Sequence, residues 1–134
     1  MRLTPLLLSV AAFAQSPTFD VASVKPSPTD KSDRIQINLG NLFLKQARWD
    51  NAIAAYAEAL RANPAAFEAH NNIAIAFANR GDLAQATAHF REAARLSPQQ
   101  PEIHSELAEI LDRQGLHDEA QIESAEADRL PVSP

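Results

Sequence analysis

The chain has 134 residues, no cysteine and a formal net charge of −5. The length fits one domain, the absence of cysteine excludes disulfides and thiolate metal sites, and the acidic balance disfavours a nucleic-acid partner, because phosphate binding needs a basic face. The acidic excess is concentrated in residues 101–134, which hold nine acidic and two basic residues. This end is either a solvated terminal surface or a docking surface for a basic partner.

Residues 1–14 have the form of a secretory signal peptide. One basic residue, Arg2, precedes an apolar run that ends in Ala-Phe-Ala at 12–14, a small-residue cleavage signature. The run is too short to span a membrane as a helix, so no membrane span is predicted. We expect a mature chain that starts at Gln15 and is exported, periplasmic or secreted. A misplaced start codon is the alternative, and the protein would then be cytoplasmic.

Residues 15–32 are rich in proline, serine and threonine, which predicts a poorly ordered linker. Within it, Thr18–Val24 alternates as a short strand does, but a lone strand without a partner is not expected to be stable. The string Phe19–Pro26 resembles the opening of a family of secreted soil-bacterial proteins of unknown function. This resemblance agrees with an exported leader joined to the rest of the chain.

From residue 33 onward, a pattern of small and large residues recurs three times, 34 positions apart. In the first copy its members are Leu39, Gly40, Phe43, Ala52, Tyr56, Ala59 and Pro64; in the second they are Ile73, Ala74, Phe77, Ala86, Phe90, Ala93 and Pro98. A fixed period of this size predicts a stack of helical units. The apolar periodicity places helices at about 34–46, 50–62, 67–79, 83–96, 101–114 and 118–130.

The spacing and residue types resemble the tetratricopeptide repeat, a helix–turn–helix unit. The resemblance implies an all-α, right-handed α-solenoid of three units at 33–66, 67–100 and 101–134. Gly81 and Gly115 stand at the turn inside their units, where a positive φ is expected, and Ala47 takes that place in the first unit. Gly40 lies inside a helix, which predicts a close approach by a neighbouring helix.

The third unit departs from the pattern on the side that would face a further unit. Ser124 stands where the earlier units have Tyr56 and Phe90, and Gln121 and Asp128 also replace less polar residues. Polar residues in these places predict that the third unit caps the stack.

In this family the first helices of successive units line a concave groove that binds peptides or partner proteins, and the resemblance places the site there. Asparagine amides both donate and accept hydrogen bonds, which suits a peptide main chain, and Asn38 and Asn72 occupy equivalent places, as in an amide ladder. The predicted groove residues are Asn38, Asn41, Lys45, Asn71, Asn72, Asn79, Glu102, Glu106 and Glu109.

Some family members clamp the C-terminal carboxylates of heat-shock chaperones. Asn41 and Asn72 match two amide positions of that clamp, but Ile37, Glu102 and Glu106 stand where basic residues are required. Because acids repel a carboxylate, the sequence favours a protein or peptide partner with a positive charge.

An enzymatic role finds little support in the sequence. His70 and His104 lie at equivalent places, but there is no His-Glu-x-x-His spacing, phosphate-binding loop or nucleophile elbow. We therefore expect packing roles for these two histidines, surface or turn positions for His89 and His117, and no cofactor or metal. The prediction is a non-enzymatic protein-interaction module; a self-associating homo-oligomeric scaffold, and a metal- or substrate-handling enzyme built on His70 and His104, are the alternatives.

Overall fold

The computed structural model describes residues 31–132, which contain six helices and no strand. The helices are α1 (Ser32–Lys45), α2 (Trp49–Ala62), α3 (Phe67–Arg80), α4 (Leu83–Leu96), α5 (Pro101–Arg113) and α6 (His117–Arg129). Each predicted helix is confirmed to within two residues at either end.

The predicted signal peptide at 1–14 lies outside the described residues, and so do residues 15–30 of the predicted linker with its alternating segment. Export and a mature start at Gln15 therefore stay predictions. Among residues 31–132, no helix is both long and apolar enough to cross a bilayer.

The helices form three antiparallel pairs, α1 with α2, α3 with α4 and α5 with α6, and the second helix of one pair packs on the first helix of the next. The architecture is an all-α helical repeat solenoid. Small residues make the close crossings within each pair: Ala52 and Ala86 are fully buried, and Ala120 is nearly so. Two apolar clusters, one between the first and second units and one between the second and third, form the core.

An aromatic ring wedges into each of the first two units. Tyr56 and Phe90 are 0% and 2% exposed, and the ring of Tyr56 lies directly on Gly40, where a Cβ would come within 2.5 Å of it. The predicted close approach at Gly40 is thus confirmed. In the third unit Ser124 takes the aromatic place, and an open cleft of about 560 Å³ lies between it and Ala108.

The turn inside each unit needs one residue in the left-handed region. Gly81 and Gly115 have φ of 95° and 79°, as the sequence predicts, and Ala47 has φ of 55° at the matching place. Left-handed backbone costs a residue with a Cβ more than it costs glycine, so the first turn is the strained one.

The first helix exposes an apolar stripe, which we call the α1 stripe: Ile35, Leu39 and Leu42. Leu39 is 38% exposed, whereas its equivalents Ile73 and Leu107 are 3% and 1% exposed. Those two residues pack on the second helix of the preceding unit, and no described helix precedes α1.

Candidate functional site

A hydrogen-bonded amide network crosses from α1 to α3 on the face that α1, α3 and α5 share. The Tyr56 hydroxyl donates to Asn41 Oδ1 at 2.5 Å, and Asn72 Nδ2 donates to the same oxygen at 2.9 Å. Both lone pairs of that oxygen are then occupied, which fixes the orientation of the Asn41 amide. Its nitrogen and the Asn72 oxygen make no further bond within the described residues.

The Tyr56 hydroxyl, which is buried, keeps its proton and so keeps the hydrogen bonds of this network unchanged. Burial first, and then the charge of Glu68, raise the pKa of Tyr56 to about 12, against a lowering by the Asn72 hydrogen bond. The hydroxyl therefore remains protonated at any physiological pH and remains a donor. Consequently the free groups of Asn41 and Asn72 offer the same donor–acceptor pair to a ligand throughout that range.

Three other predicted groove residues, Asn38, Asn79 and Lys45, take no part in this network. Asn38 is exposed and bonds to no described residue, so the amide bridge between the first two units runs through Asn41 and Asn72 instead of Asn38. Asn79 Nδ2 donates to the Ile75 carbonyl of its own helix at 2.9 Å. Lys45 is exposed in the last turn of α1.

Between α3 and α5 the groove holds two buried acceptors. Asn71 Oδ1 and Glu106 Oε2 are inaccessible to solvent, and no described residue donates a hydrogen bond to either. A cleft of about 220 Å³ opens beside them, lined by Ile75, Asn79 and Glu109 among others. As whole residues, Asn71 and Glu106 remain partly exposed, so only these two oxygens are shielded from solvent.

Burial, the largest influence, raises the pKa of Glu106; the Asn71 amide hydrogen bond lowers it, and the charges of Glu109 and Glu102 raise it again. Glu102 and Glu109 are themselves exposed. The three acids lie on one face of α5, so a carboxylate at Glu106 has like-charged neighbours; Arg113 lines the same cleft but makes no ion pair with a described residue.

The two equivalent histidines do not contact each other; each bonds to a side chain of its own unit and to a proline carbonyl of the preceding unit. His104 Nδ1 lies 2.7 Å from Glu123 Oε2, and its Nε2 lies 3.1 Å from the Pro98 carbonyl oxygen. Burial alone lowers the pKa of His104, but the hydrogen bonds to Glu123 and Pro98 outweigh it, and the net pKa is raised. The predicted packing role is consistent with its burial.

In the second unit a histidine replaces the glutamate. His70 Nδ1 lies 3.0 Å from His89 Nδ1, and His70 Nε2 lies 3.0 Å from the Pro64 carbonyl oxygen. Because a carbonyl only accepts, Nε2 of His70 carries a proton, and in the neutral pair His89 donates through Nδ1. Burial first, then the charge of His70, lower the pKa of His89. The expected surface position of His89 is wrong, because its ring is half-buried and stacks on Phe77.

The described residues hold no group of three or more His, Cys, Asp or Glu side chains arranged to bind a metal. His117 is exposed, as expected, and its Nδ1 lies 2.5 Å from Asp112 Oδ1. The His70–His89 and His104–Glu123 pairs each join the two helices of one unit.

The two histidine pairs predict opposite pH responses, and His89→Glu tests them. A lowered pKa means that the stability linked to His89 is complete above the usual value near 6.5 and is lost as pH falls through the folded value. A carboxylate facing His70 copies the His104–Glu123 pair, so we expect the variant to lose less stability than the wild type between about pH 7.5 and about pH 5.5. Urea unfolding at both pH values measures the difference.

Glu123→Gln is the matched control, with the opposite sign. The raised pKa of His104 gives stability that is complete below about 6.5 and is lost as pH rises through the folded value, so removing the Glu123 charge should cost more at the acidic pH. Equal pH dependence in both variants and the wild type would contradict the assigned pairs.

Two residues of these networks were not predicted from the sequence. The repeated pattern shows Tyr56 only as a large residue, although its hydroxyl, absent from the equivalent Phe90, indicates a polar partner. Glu123 lies 34 positions after His89, so an alignment of the units by residue chemistry would have predicted its pairing with His104.

Comparisons with known proteins agree with this geometry. Two tetratricopeptide repeat family models match the chain, one over residues 37–101 and one over residues 77–127. No curated protein sequence matches.

Solved structures share the fold. The second TPR of Spaghetti (RPAP3), bound to the HSP90 peptide SRMEEVD, is 19% identical with a TM-score of 0.73, over 75% of this chain and 94% of that one. The structure "MamA MSR-1 C2" is 24% identical with a TM-score of 0.67, over 72% of this chain and 55% of that one. A second MamA structure is 18% identical with a TM-score of 0.70, over 57% of its own length.

The chain thus spans little more than half the length of these MamA proteins, and identities this low show the fold alone. The 34-residue pattern, the stacked helix pairs and the two overlapping family matches agree with one another. The chain belongs to the tetratricopeptide repeat family.

Proposed function

We propose that this protein is a non-enzymatic interaction module that binds an extended segment of another protein along the face formed by α1, α3 and α5. The observation that supports this most directly is the Tyr56–Asn41–Asn72 network. It holds amide groups in fixed orientations on an accessible face, which lowers the entropy cost of binding a peptide main chain. The fold supports the same reading, because an RPAP3 repeat domain of similar fold holds a peptide.

The peptide chemistry proposed here differs from that of this neighbour. The peptide bound to RPAP3 is acidic, whereas Glu102, Glu106 and Glu109 give this groove a negative end. An acidic segment would be repelled there, so we propose a neutral or basic one.

Asn72→Ala tests the proposal. Peptides selected from a random library displayed on phage, with the full-length chain as bait, should bind the variant about 2- to 12-fold more weakly, because each lost hydrogen bond contributes about 0.5–1.5 kcal/mol. Fluorescence polarisation with the selected peptides gives the affinities. Asn51→Ala, an exposed asparagine on α2, is the control and should bind as the wild type does. Selected peptides that bind both variants and the wild type equally would place recognition outside the groove.

Self-association is the second candidate function, and the α1 stripe favours it. In the second and third units the corresponding residues pack on a second helix of the preceding unit, so the stripe has a shape that accepts such a helix from another copy. Sedimentation velocity of the same full-length protein over a range of concentrations measures this. A single monomeric species at all concentrations would remove this candidate.

A further inference from the structure

We propose that the cleft between α5 and α6 binds a tyrosine side chain of the partner segment, with its ring on Ala108 and Ala120 and its hydroxyl donating to the Glu109 carboxylate. This inference rests on the proposed function, because it names a side chain that the same partner would supply. The first unit provides the template, since its own tyrosine, Tyr56, occupies the equivalent place.

The first two units show what such a place holds. In each of them a ring on the second helix packs on a small residue of the first helix, Tyr56 on Gly40 and Phe90 on Ala74. Both rings are almost completely buried. In the third unit Ser124 stands where the ring would be, and an open cleft lies beside it. The place that a ring fills in two units is therefore empty of a ring in the third.

The alanine floor of this place is retained in the third unit. Three alanines line the cleft, and their equivalents in the second unit are fully buried; the pairs are Ala74 and Ala108, Ala86 and Ala120, and Ala93 and Ala127. The members in the third unit are 5%, 6% and 9% exposed, whereas those in the second are at 0%. Surface that is closed in the second unit is thus open to a ligand in the third.

An acceptor for a phenol hydroxyl is also present. In the first unit the Tyr56 hydroxyl donates to Asn41 Oδ1 at 2.5 Å. The second unit, whose ring Phe90 has no hydroxyl, has Ile75 at the position of Asn41. In the third unit that position is Glu109, which is exposed and lines the cleft. A carboxylate only accepts hydrogen bonds, so this position suits a tyrosine ring better than a phenylalanine ring.

The volume and charge of the cleft restrict the ligand further. The volume of about 560 Å³ lies within the roughly 300–1,000 Å³ usual for ligand pockets, which leaves room for a ring and part of its main chain. Asp112 and Asp128 line the cleft together with Glu109. These carboxylates repel a second anion, so the cleft should reject phosphotyrosine, whose phosphate carries a charge of about −1.5 to −2.

The test uses the full-length chain labelled with ¹⁵N and three ligands: N-acetyl-tyrosinamide, N-acetyl-phenylalaninamide and N-acetyl-phosphotyrosinamide. NMR titration follows the backbone amides of Ala108, Ala120 and Ser124. We expect saturable shifts with the tyrosine amide, affinity about fivefold weaker for the phenylalanine amide, as for one lost hydrogen bond, and no saturable shift with the phosphorylated amide. Equal binding of the tyrosine and phenylalanine amides, or no saturable shift with either, would overturn the inference.

Ser124→Phe places a ring in the cleft of the third unit, as Phe90 does in the second. We expect this variant to unfold at a urea concentration no lower than the wild type and to lose the saturable shifts with the tyrosine amide, because its own ring occupies the site. A folded variant that binds the tyrosine amide as the wild type does would contradict the assigned place of the ring.

Glu109→Ala removes the acceptor and leaves the cleft open, at an exposed position where the fold should be unaffected. We expect the affinity for the tyrosine amide to fall to that of the phenylalanine amide, whose own affinity should not change. Glu102→Ala is the matched control, because it removes one exposed acid from the same helix, and it should keep the preference of about fivefold. A preference for tyrosine that survives Glu109→Ala, or that both variants lose equally, would overturn the inference.

The failure of this inference and that of the proposed function are distinguishable. If the tyrosine amide does not bind but the selected peptides still lose affinity in Asn72→Ala, the proposed function stands without the tyrosine site. If the amide binds in the cleft and the selected peptides are indifferent to Asn72→Ala, the cleft is a binding site and the groove is not.

Discussion

Phe90→Ala is expected to destabilise the protein by about 3–5 kcal/mol, the usual cost of deleting a buried aromatic ring. Phe90 is enclosed by Ala74 of its own unit and by Leu107 and Ile110 of the next, so its loss opens a cavity that links two units. A domain of this size has a total stability of about 5–15 kcal/mol, so the variant should lose a fifth or more of it. Urea unfolding followed by circular dichroism measures the loss.

The control for this prediction lies 34 residues further on. Ser124 occupies the same place in the third unit but is exposed, so Ser124→Ala should change the unfolding free energy by no more than about 0.5 kcal/mol. A loss below about 1 kcal/mol in Phe90→Ala, against the cost usual for such a ring, would contradict the assignment of Phe90 as the wedge between units.

Gly40→Ala is expected to destabilise the protein by about 1–3 kcal/mol, although alanine is the better helix former by about 1 kcal/mol. The added Cβ would lie 2.5–2.7 Å from three carbons of the Tyr56 ring. That ring cannot easily move, because it is fully buried and its hydroxyl is bonded to Asn41. The steric cost should therefore exceed the gain in helix propensity.

A double variant separates the steric clash at residue 40 from the effect of the Tyr56–Asn41 hydrogen bond. Tyr56→Phe combined with Gly40→Ala recreates the alanine and phenylalanine found in the second unit, and it frees the ring from Asn41. We expect a favourable coupling of about 0.5–3 kcal/mol between the two substitutions, as for residues in contact, measured by urea unfolding of the four proteins in the cycle. A Gly40→Ala single variant more stable than the wild type would show that helix propensity dominates here.

Most of the fold was predictable because the same residue pattern occurs in all three units. The helices, the positive φ at Gly81 and Gly115, and the close approach at Gly40 all follow from residues that recur at one spacing. The exposure of Leu39 was not predictable in this way, since the pattern is the same in all three units and only the neighbour of each unit differs. A repeated pattern predicts the fold of each unit, but it does not predict which helix packs against that unit.

The sequence predicted which helices carry the candidate site residues, but it did not predict which of those side chains hydrogen-bond to each other. The sequence places the asparagines and glutamates on the first helices, but whether Asn41 or Asn38 bridges to Asn72 depends on how α1 is rotated against α3. Similarly, the burial of Glu106 Oε2 depends on contacts between helices, which the sequence pattern does not give. Charge patterning treats Glu102, Glu106 and Glu109 alike, whereas the structure leaves Glu102 and Glu109 exposed and shields part of Glu106.

The pairing of Gly40 with Tyr56, of Ala74 with Phe90 and of Ala108 with Ser124 means that these units are not interchangeable modules. If the second unit were exchanged for a copy of the third, a serine would face the middle of the core, and the ring that links the second and third units would be missing. Only a copy of the second unit, inserted after itself, would present each neighbour with the surface it already meets. We therefore expect an array with a duplicated second unit to fold, and we expect arrays with the same three units in a different order not to fold.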